Sequence, residues 1–244
     1  MLRAEDISKS YSHRGRLVRA MDGLTVKLPA GDFVAIVGPS GSGKSTLVLA
    51  LGGMLSPTEG RVFLEGESLY EIPTEQRAAL RKRKLGFVFQ NFNLVPYLTA
   101  MENVQVPLML AERPRPEQEA RARSLLGRVG LGDRLDHKPS ELSVGQQQRV
   151  ALARMLANEP SVILADEPTG NLDPETGGAI LDFLQELNAE GRTIVMVTHD
   201  PNAARRARRQ LRLVGGRLVG ETGGGELHAT DSDRDRPSDL GPPG

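Results

Sequence analysis

The chain contains no cysteine. That absence excludes disulfide frameworks, thiolate metal sites and thiol nucleophiles, and it suits a reducing compartment. Aromatic residues make up only 4 % of the sequence, so any core must be mostly aliphatic. No apolar run approaches the roughly 18 residues needed to span a bilayer. The first ten residues, MLRAEDISKS, lack the apolar stretch of a secretory leader. Any connection to a membrane is therefore expected to run through a partner. Nor is there a surplus of one charge: 31 basic side chains balance 31 acidic ones. The balance is uneven along the chain, because Glu221–Gly244 holds six acids against two bases and leaves the remainder at +4. Neither value points to nucleic acid as a partner.

What is present suits an α/β domain. The 244 residues are 39 % hydrophobic, enough for one domain with an appended subdomain. Phe33–Val37, Leu85–Phe89, Val162–Ala165 and Thr193–Thr198 are short, almost wholly apolar runs, the pattern of parallel strands buried on both faces. Leu24–Leu28 alternates apolar and polar residues like a half-buried antiparallel strand. Arg61–Leu64 and Gln210–Val214 read as peripheral strands. From about Thr99 to Asn158 the pattern is helical, opening on the capping box Thr99-Ala-Met-Glu102. Pro114 and Pro116 precede a second helix over Glu117–Val129. This predicts a mixed, mostly parallel sheet, an antiparallel β subdomain and a helical subdomain inserted over about 91–158. Residues 1–220 form the expected domain. Glu221–Gly244, rich in Gly, Asp, Arg and Pro, is expected to be a disordered tail.

One loop carries most of the chemistry. Gly38, Pro39, Ser40, Gly41, Ser42, Gly43, Lys44, Ser45 and Thr46 directly follow the strand Phe33–Val37 and precede an apolar helical run. Strand, glycine-rich turn and helix are the context a P-loop requires. Glycines let successive backbone N–H groups point at an anion, and the helix N-terminus adds partial positive charge. Lys44 is placed to reach the β- and γ-phosphates of ATP, and the Ser45 hydroxyl to ligate Mg²⁺.

Two further strands end in polar groups. Val162–Ala165 runs into Asp166 and Glu167. Asp166 is the expected Mg²⁺ partner, and Glu167 the expected general base toward the attacking water. His199 follows Thr193–Thr198 at the carboxyl edge of the sheet, where ligands bind in open α/β folds. It is expected to hydrogen-bond the γ-phosphate and align the water. His13, His137 and His228 have no such placement.

Leu142-Ser143-Val144-Gly145-Gln146 opens another helix, and Ser143 and Gln146 have capping-box spacing. An uncovered helix start is a second anion site. One subunit already has one triphosphate cradle, so the second site implies a second copy of the chain, related by twofold symmetry, with ATP between them.

At this point the chain resembles the ATPase subunits of ABC transporters. LSVGQ is similar to the signature LSGGQ, with Val144 replacing the first glycine, and the other motifs follow in order over residues 2–219. The resemblance implies that Tyr11 stacks on adenine. It implies that Gln90 links Mg²⁺ to the helical subdomain, and that Ser143, Gly145 and Gln146 contact the partner's nucleotide. It also implies that Asp173, in the D-loop-like Gly170-Asn-Leu-Asp173, crosses the dimer interface. Val144 puts the turnover rate, not the family, in question.

Gln90–Val104 and Ala165–Asp173 look like the group serving lipoprotein release and macrolide export, which also includes FtsE-like ATPases. Membership implies an integral membrane permease of FtsX/MacB-like type as partner and a place at the cytoplasmic face of the inner membrane. A groove lined by Phe92, Leu94, Val95 and Tyr97 is expected to receive a short permease helix. The alternative is an FtsE-type ATPase that signals without moving a substrate. DNA-repair relatives carry a coiled coil that the 53 residues from Gln90 to Ser143 cannot hold, and translation factors carry two cassettes. The run Arg205–Arg209 reads as a solvated face of an amphipathic helix over Pro201–Arg209.

Overall fold

The computed structural model describes residues 2–13, 16–223 and 226–228. The chain begins with the strands β1 (Leu2–His13), β2 (Arg16–Leu28) and β3 (Phe33–Val37), followed by helix α1 (Lys44–Leu51). Next come β4 (Glu59–Leu64), β5 (Glu67–Ser68), α2 (Thr74–Lys84) and β6 (Leu85–Phe89). A helical stretch follows, with α3 (Ala100–Leu110), α4 (Arg115–Arg128) and α5 (Val144–Leu156). The chain then returns to β7 (Val162–Asp166), α6 (Pro174–Ala189), β8 (Thr193–Val197) and α7 (Pro201–Ala204). It closes with β9 (Arg209–Val214), β10 (Arg217–Gly223) and β11 (Glu226–His228).

Two sheets result. One is antiparallel, in the order β2-β1-β4-β5, and the other runs β11-β10-β9-β3-β8-β7-β6. In the second, β9, β3, β8, β7 and β6 are mutually parallel. Side chains alternate faces along a strand, and the apolar runs exploit this on both sides. Phe33, Ala35, Ile163, Ala165, Ile194 and Met196 face the core shared with α3–α6. Val34, Ile36, Val162, Leu164, Val195 and Val197 face the core shared with α1 and the antiparallel sheet. A strand buried on both faces needs continuous hydrophobicity, which is why these segments were visible as runs.

The helix opened by Thr99 forms as expected, whereas α4 begins at Arg115, so Pro116 lies in its first turn and not ahead of it. The Thr99 hydroxyl accepts from the Glu102 N–H at 3.1 Å, while Glu102 Oε2 accepts from the Thr99 N–H at 2.8 Å. Fully buried Asn103 binds the preceding loop, accepting from Val95 N–H and donating to the carbonyls of Val95, Leu98 and Thr99.

Three other expectations need correction. The helix over Pro201–Arg209 stops at Ala204. The Arg208 N–H instead bonds the Phe33 carbonyl at 2.9 Å and Arg209 enters the ladder beside β3, so sheet pairing overrides helical propensity. The disordered tail does not begin at Glu221. Residues through Gly223 belong to β10, where Glu221 pairs with Leu211 in register and accepts from the Arg209 guanidinium at 2.7 Å. Strand β11 then pairs with β10, and residues 224–225 and 229–244 lie outside the described residues. Finally, Phe92, Leu94, Val95 and Tyr97 are not among the residues that line the cleft between the sheet core and the inserted helices, although Asn93 is. Tyr97 is 83 % exposed and Leu94 packs on the core.

Candidate functional site

The parallel register brings four strand ends to one edge. Asp166 lies opposite Phe89 on one side and Val197 on the other, and Ile36 lies opposite Val197. The phosphate loop, Gln90, the Asp166-Glu167 pair and His199 therefore emerge side by side, although they are far apart in the chain.

The loop after β3 is compressed from two directions. A Cβ at Gly38 would sit 2.0 Å from the Leu213 carbonyl oxygen, and one at Gly43 would sit 2.1 Å from the Ala20 carbonyl oxygen. Gly43 also has φ +96°, which favours glycine. Strands β9 and β2 thus explain two of the loop's glycines without any ligand. Lys44 is buried, and its ammonium donates to the carbonyls of Gly38 and Pro39, each at 2.9 Å. These bonds hold the Lys44 side chain across the loop. Ser40, Gly41 and Ser45 are exposed at its rim, and Thr46 is half-buried.

Ser45 Oγ donates to Asp166 Oδ1 at 3.1 Å. Burial pushes the Asp166 carboxyl above its ordinary range, and the Glu167 charge beside it adds to the shift. The Ser45 hydrogen bond and the Lys44 charge oppose it. Glu167 has a left-handed backbone, φ +49°, which is uncommon outside glycine. Its N–H bonds the Val197 carbonyl at 3.0 Å. Its Oε1 lies 2.9 Å from His199 Nδ1.

Gln90 does not point toward Asp166 in any hydrogen bond among the described residues. Its Nε2 faces Asn171 Oδ1 at 3.4 Å, and Asn171 Nδ2 donates to the Gln90 carbonyl at 2.9 Å. Asn171 was missed as a site residue in the sequence, although it sits inside the quoted Gly170–Asp173 run; its partner was not readable from spacing. Asp173 caps α6 by accepting from the Thr176 N–H at 2.9 Å. That backbone hydrogen bond holds its carboxyl below the usual range.

Ser143 caps α5: its hydroxyl accepts from the Gln146 N–H at 3.2 Å, and Gln146 Oε1 accepts from the Ser143 N–H at 2.9 Å. Val144 is 47 % exposed. Gly145 lies against α6, where a Cβ would come within 2.7 Å of Thr176 Cγ2. Neither Ser143 nor Gln146 makes a hydrogen bond to the phosphate loop of its own chain among the described residues. Tyr11, on β1 opposite Val18, is 40 % exposed with the Lys9 ammonium 5.6 Å from its ring centre.

Gln148 and Arg154, further along α5, were also missed. Gln148 reaches the Pro168 carbonyl, and the Arg154 guanidinium donates to the carbonyls of Phe92 and Asn93. Only contacts distant in sequence reveal them.

Residues 21–170 match the family model described as ABC transporter. This chain belongs to that family. It is an ATP-binding cassette and an ATP hydrolase. The lipoprotein-releasing system ATP-binding protein LolD of Pseudomonas syringae pv. tomato is 50 % identical over 220 residues, covering 90 % of this chain and 97 % of that protein. The macrolide export ATP-binding/permease protein MacB of Brucella melitensis is 44 % identical over 232 residues, covering 95 % of this chain. The cassette spans about a third of the MacB proteins it matches, 36 % in that case. The dimeric, post-hydrolysis structure of the ATP-binding cassette MJ0796 with ADP and Pi superposes with TM-score 0.86 at 41 % identity. It covers 91 % of this chain and 98 % of that one. No helix among the described residues is long and apolar enough to cross a membrane.

A cleft of about 800 Å³ opens between α2, β6 and the inserted helices. Phe87, Phe89, Val106, Leu110 and Met155 supply apolar walls, and Glu75, Arg81, Lys82 and Arg154 are the charged residues that line it.

Proposed function

We propose that two copies of this cassette close around two MgATP molecules and that hydrolysis drives an FtsX/MacB-like permease at the cytoplasmic face of the membrane. The permease would release lipoproteins or export macrolides, peptides or related molecules. The carrying observation is the division of the site. Lys44, the Ser45–Asp166 pair and the Glu167–His199 pair share one sheet edge, while the Ser143 helix start is held on α5 and α6, away from that edge's hydrogen bonds. A second copy would supply the missing helix start. The dimeric state of MJ0796 supports this reading.

In this reading Lys44 neutralises charge on the β- and γ-phosphates, and the backbone N–H groups of Gly41–Ser45 surround them. Tyr11 stacks on adenine. Ser45 and Asp166 fit Mg²⁺, because they offer two hard oxygens 3.1 Å apart. Bound there, Mg²⁺ would neutralise charge developing on the phosphates. Glu167 accepts the proton of the attacking water. His199 Nδ1 holds one carboxylate oxygen and leaves Nε2 to face the γ-phosphate. Gln90 and Asn171 tie this edge to the D-loop, where Asp173 meets the second copy.

The cleft beside β6 replaces the groove expected around Tyr97 as the place for a permease helix. Its apolar walls, with three basic side chains against the one acid Glu75, suit a short amphipathic segment with an acidic residue. The deciding experiment is ATP turnover with the neighbouring permease in nanodiscs. Stimulation that Leu110→Asp abolishes, while the isolated cassette keeps its basal rate, supports this docking. Stimulation untouched by Leu110→Asp removes the cleft from the reading.

A further inference from the structure

Gln148 is fully buried on α5, five residues past the Ser143 cap. Its Nε2 donates to the Pro168 carbonyl at 2.6 Å. Its Oε1 has no hydrogen-bond partner among the described residues. Turning the amide over would set two acceptors face to face, so the Pro168 carbonyl dictates the orientation.

The contacted carbonyl lies in the turn that carries Glu167. The Gly170 N–H bonds the Glu167 carbonyl at 3.1 Å, and the Pro168 carbonyl belongs to the middle peptide of that turn. Glu167 itself has φ +49°. A non-glycine residue holds such a backbone only when its surroundings impose it. The Val197 carbonyl restrains the turn from within the sheet. Gln148 restrains it from the inserted helices.

Helix α5 therefore has two duties within about one turn. Its first residues form the start that would meet the second copy's nucleotide. Gln148 grips the peptide beside the chain's own Glu167. The start of α5 also lies against the first turn of α6, where a Cβ on Gly145 would come within 2.7 Å of Thr176 Cγ2. A helix is stiff over one turn, so displacement of Ser143 moves Gln148 with it.

We infer that Gln148 is a positioning residue linking the two nucleotides of the dimer: engagement of Ser143 by one nucleotide aims Glu167 at the other through the Pro168 carbonyl. The inference rests on the ATP-sandwich reading above and adds an intrachain route for cooperativity. No bond to substrate is involved; the amide acts on the geometry of the base.

The test compares the full chain with Gln148→Glu, which replaces the donor by an acceptor, and Gln148→Met, which removes the donor at similar volume. Expected for both are an unchanged ATP affinity of the monomer, a turnover number lowered about tenfold or more, and a Hill coefficient falling from about 2 toward about 1. A merely structural glutamine would lower melting temperature without changing the Hill coefficient. Normal turnover and cooperativity in a folded Gln148→Glu chain overturns the inference. Should both variants unfold, amide exchange on chains with Gln148 intact decides. Thr169 and Gly170 should slow their exchange with ATP in the unmodified chain, and not in Ser143→Arg, which binds ATP without engaging the partner's. Equal slowing in both overturns the inference. The underlying reading fails differently: a Glu167→Gln chain that still turns over removes Glu167 as the base, whereas an inactive Glu167→Gln beside a normal Gln148→Glu removes only Gln148.

Discussion

Glu167 Oε1 and His199 Nδ1 lie 2.9 Å apart, and the His199 N–H lies 3.4 Å from the other carboxylate oxygen. Neighbouring strands β7 and β8 thus deliver both groups to one point. A carboxylate held at both oxygens has few orientations left, which suits a base that must meet a water in line with a phosphate.

That pairing predicts different losses for its two members. Glu167→Gln should bind ATP, stop turnover and accumulate a dimer, because it removes the proposed general base and leaves the proposed nucleotide contacts. His199→Ala should keep ATP affinity and lower turnover by about a hundredfold, the lower range for a displaced acid–base group. Gel filtration with MgATP and phosphate release measure both. A Glu167→Gln chain that stays monomeric under saturating ATP contradicts the two-copy reading.

Lys44 makes two hydrogen bonds inside its own loop. Lys44→Ala is expected to weaken ATP binding about a hundredfold or more, since the proposed charge-assisted contact to phosphate would be lost. Calorimetric titration gives the value, and unchanged affinity rejects the phosphate-loop assignment.

Asp166 carries a carboxyl raised by burial and by Glu167. In the folded chain it binds its proton more readily than when unfolded, so ionising it opposes folding. This cost is full above the folded value and fades as pH falls through that value toward the unfolded one. Asp166→Asn keeps an acceptor for Ser45 and removes the charge. Without nucleotide it should melt about 2 °C higher near pH 7, and the advantage should shrink in acid. Turnover should be lost. Melting curves at several pH values check the sign; a lower melting temperature at neutral pH counts against it.

The three atoms nearest to a Cβ placed on Gly145 all belong to Thr176. Gly145→Ala should therefore impair ATP-driven dimerisation by displacing the α5 start. Adding Thr176→Ser, which deletes the offending methyl, should restore much of it. Absence of rescue would mean that the glycine is needed for approach to the nucleotide and not for packing on α6.

Legibility in the sequence followed the locality of each signal. The Thr99 and Ser143 caps were readable because a capping box spans four residues and its bonds are local. Strands β3, β6, β7 and β8 were readable because burial on both faces requires an unbroken apolar run. By contrast β1, nearly continuous over twelve residues, alternates too irregularly to declare itself, and its register against β2 shifts at several points. Helix α2 has only Leu80 buried, so it carries no apolar stripe. The Arg205–Arg209 segment illustrates the converse, a helical-looking run that turns after Ala204 and enters the β3 ladder at Arg209.

The sequence alone determined the phosphate loop, the acidic strand end, the helix start at Ser143 and thereby the family, because each is a contiguous motif whose chemistry follows from residue order. Only the tertiary structure decided that Gln90 faces Asn171, that Gly38 and Gly43 are pressed by Leu213 and Ala20, that Gln148 holds Pro168, and where the cleft opens. Those relationships arise from parallel strand order and from an inserted helix folding back on the sheet, and they join residues whose separation along the chain carries no signal.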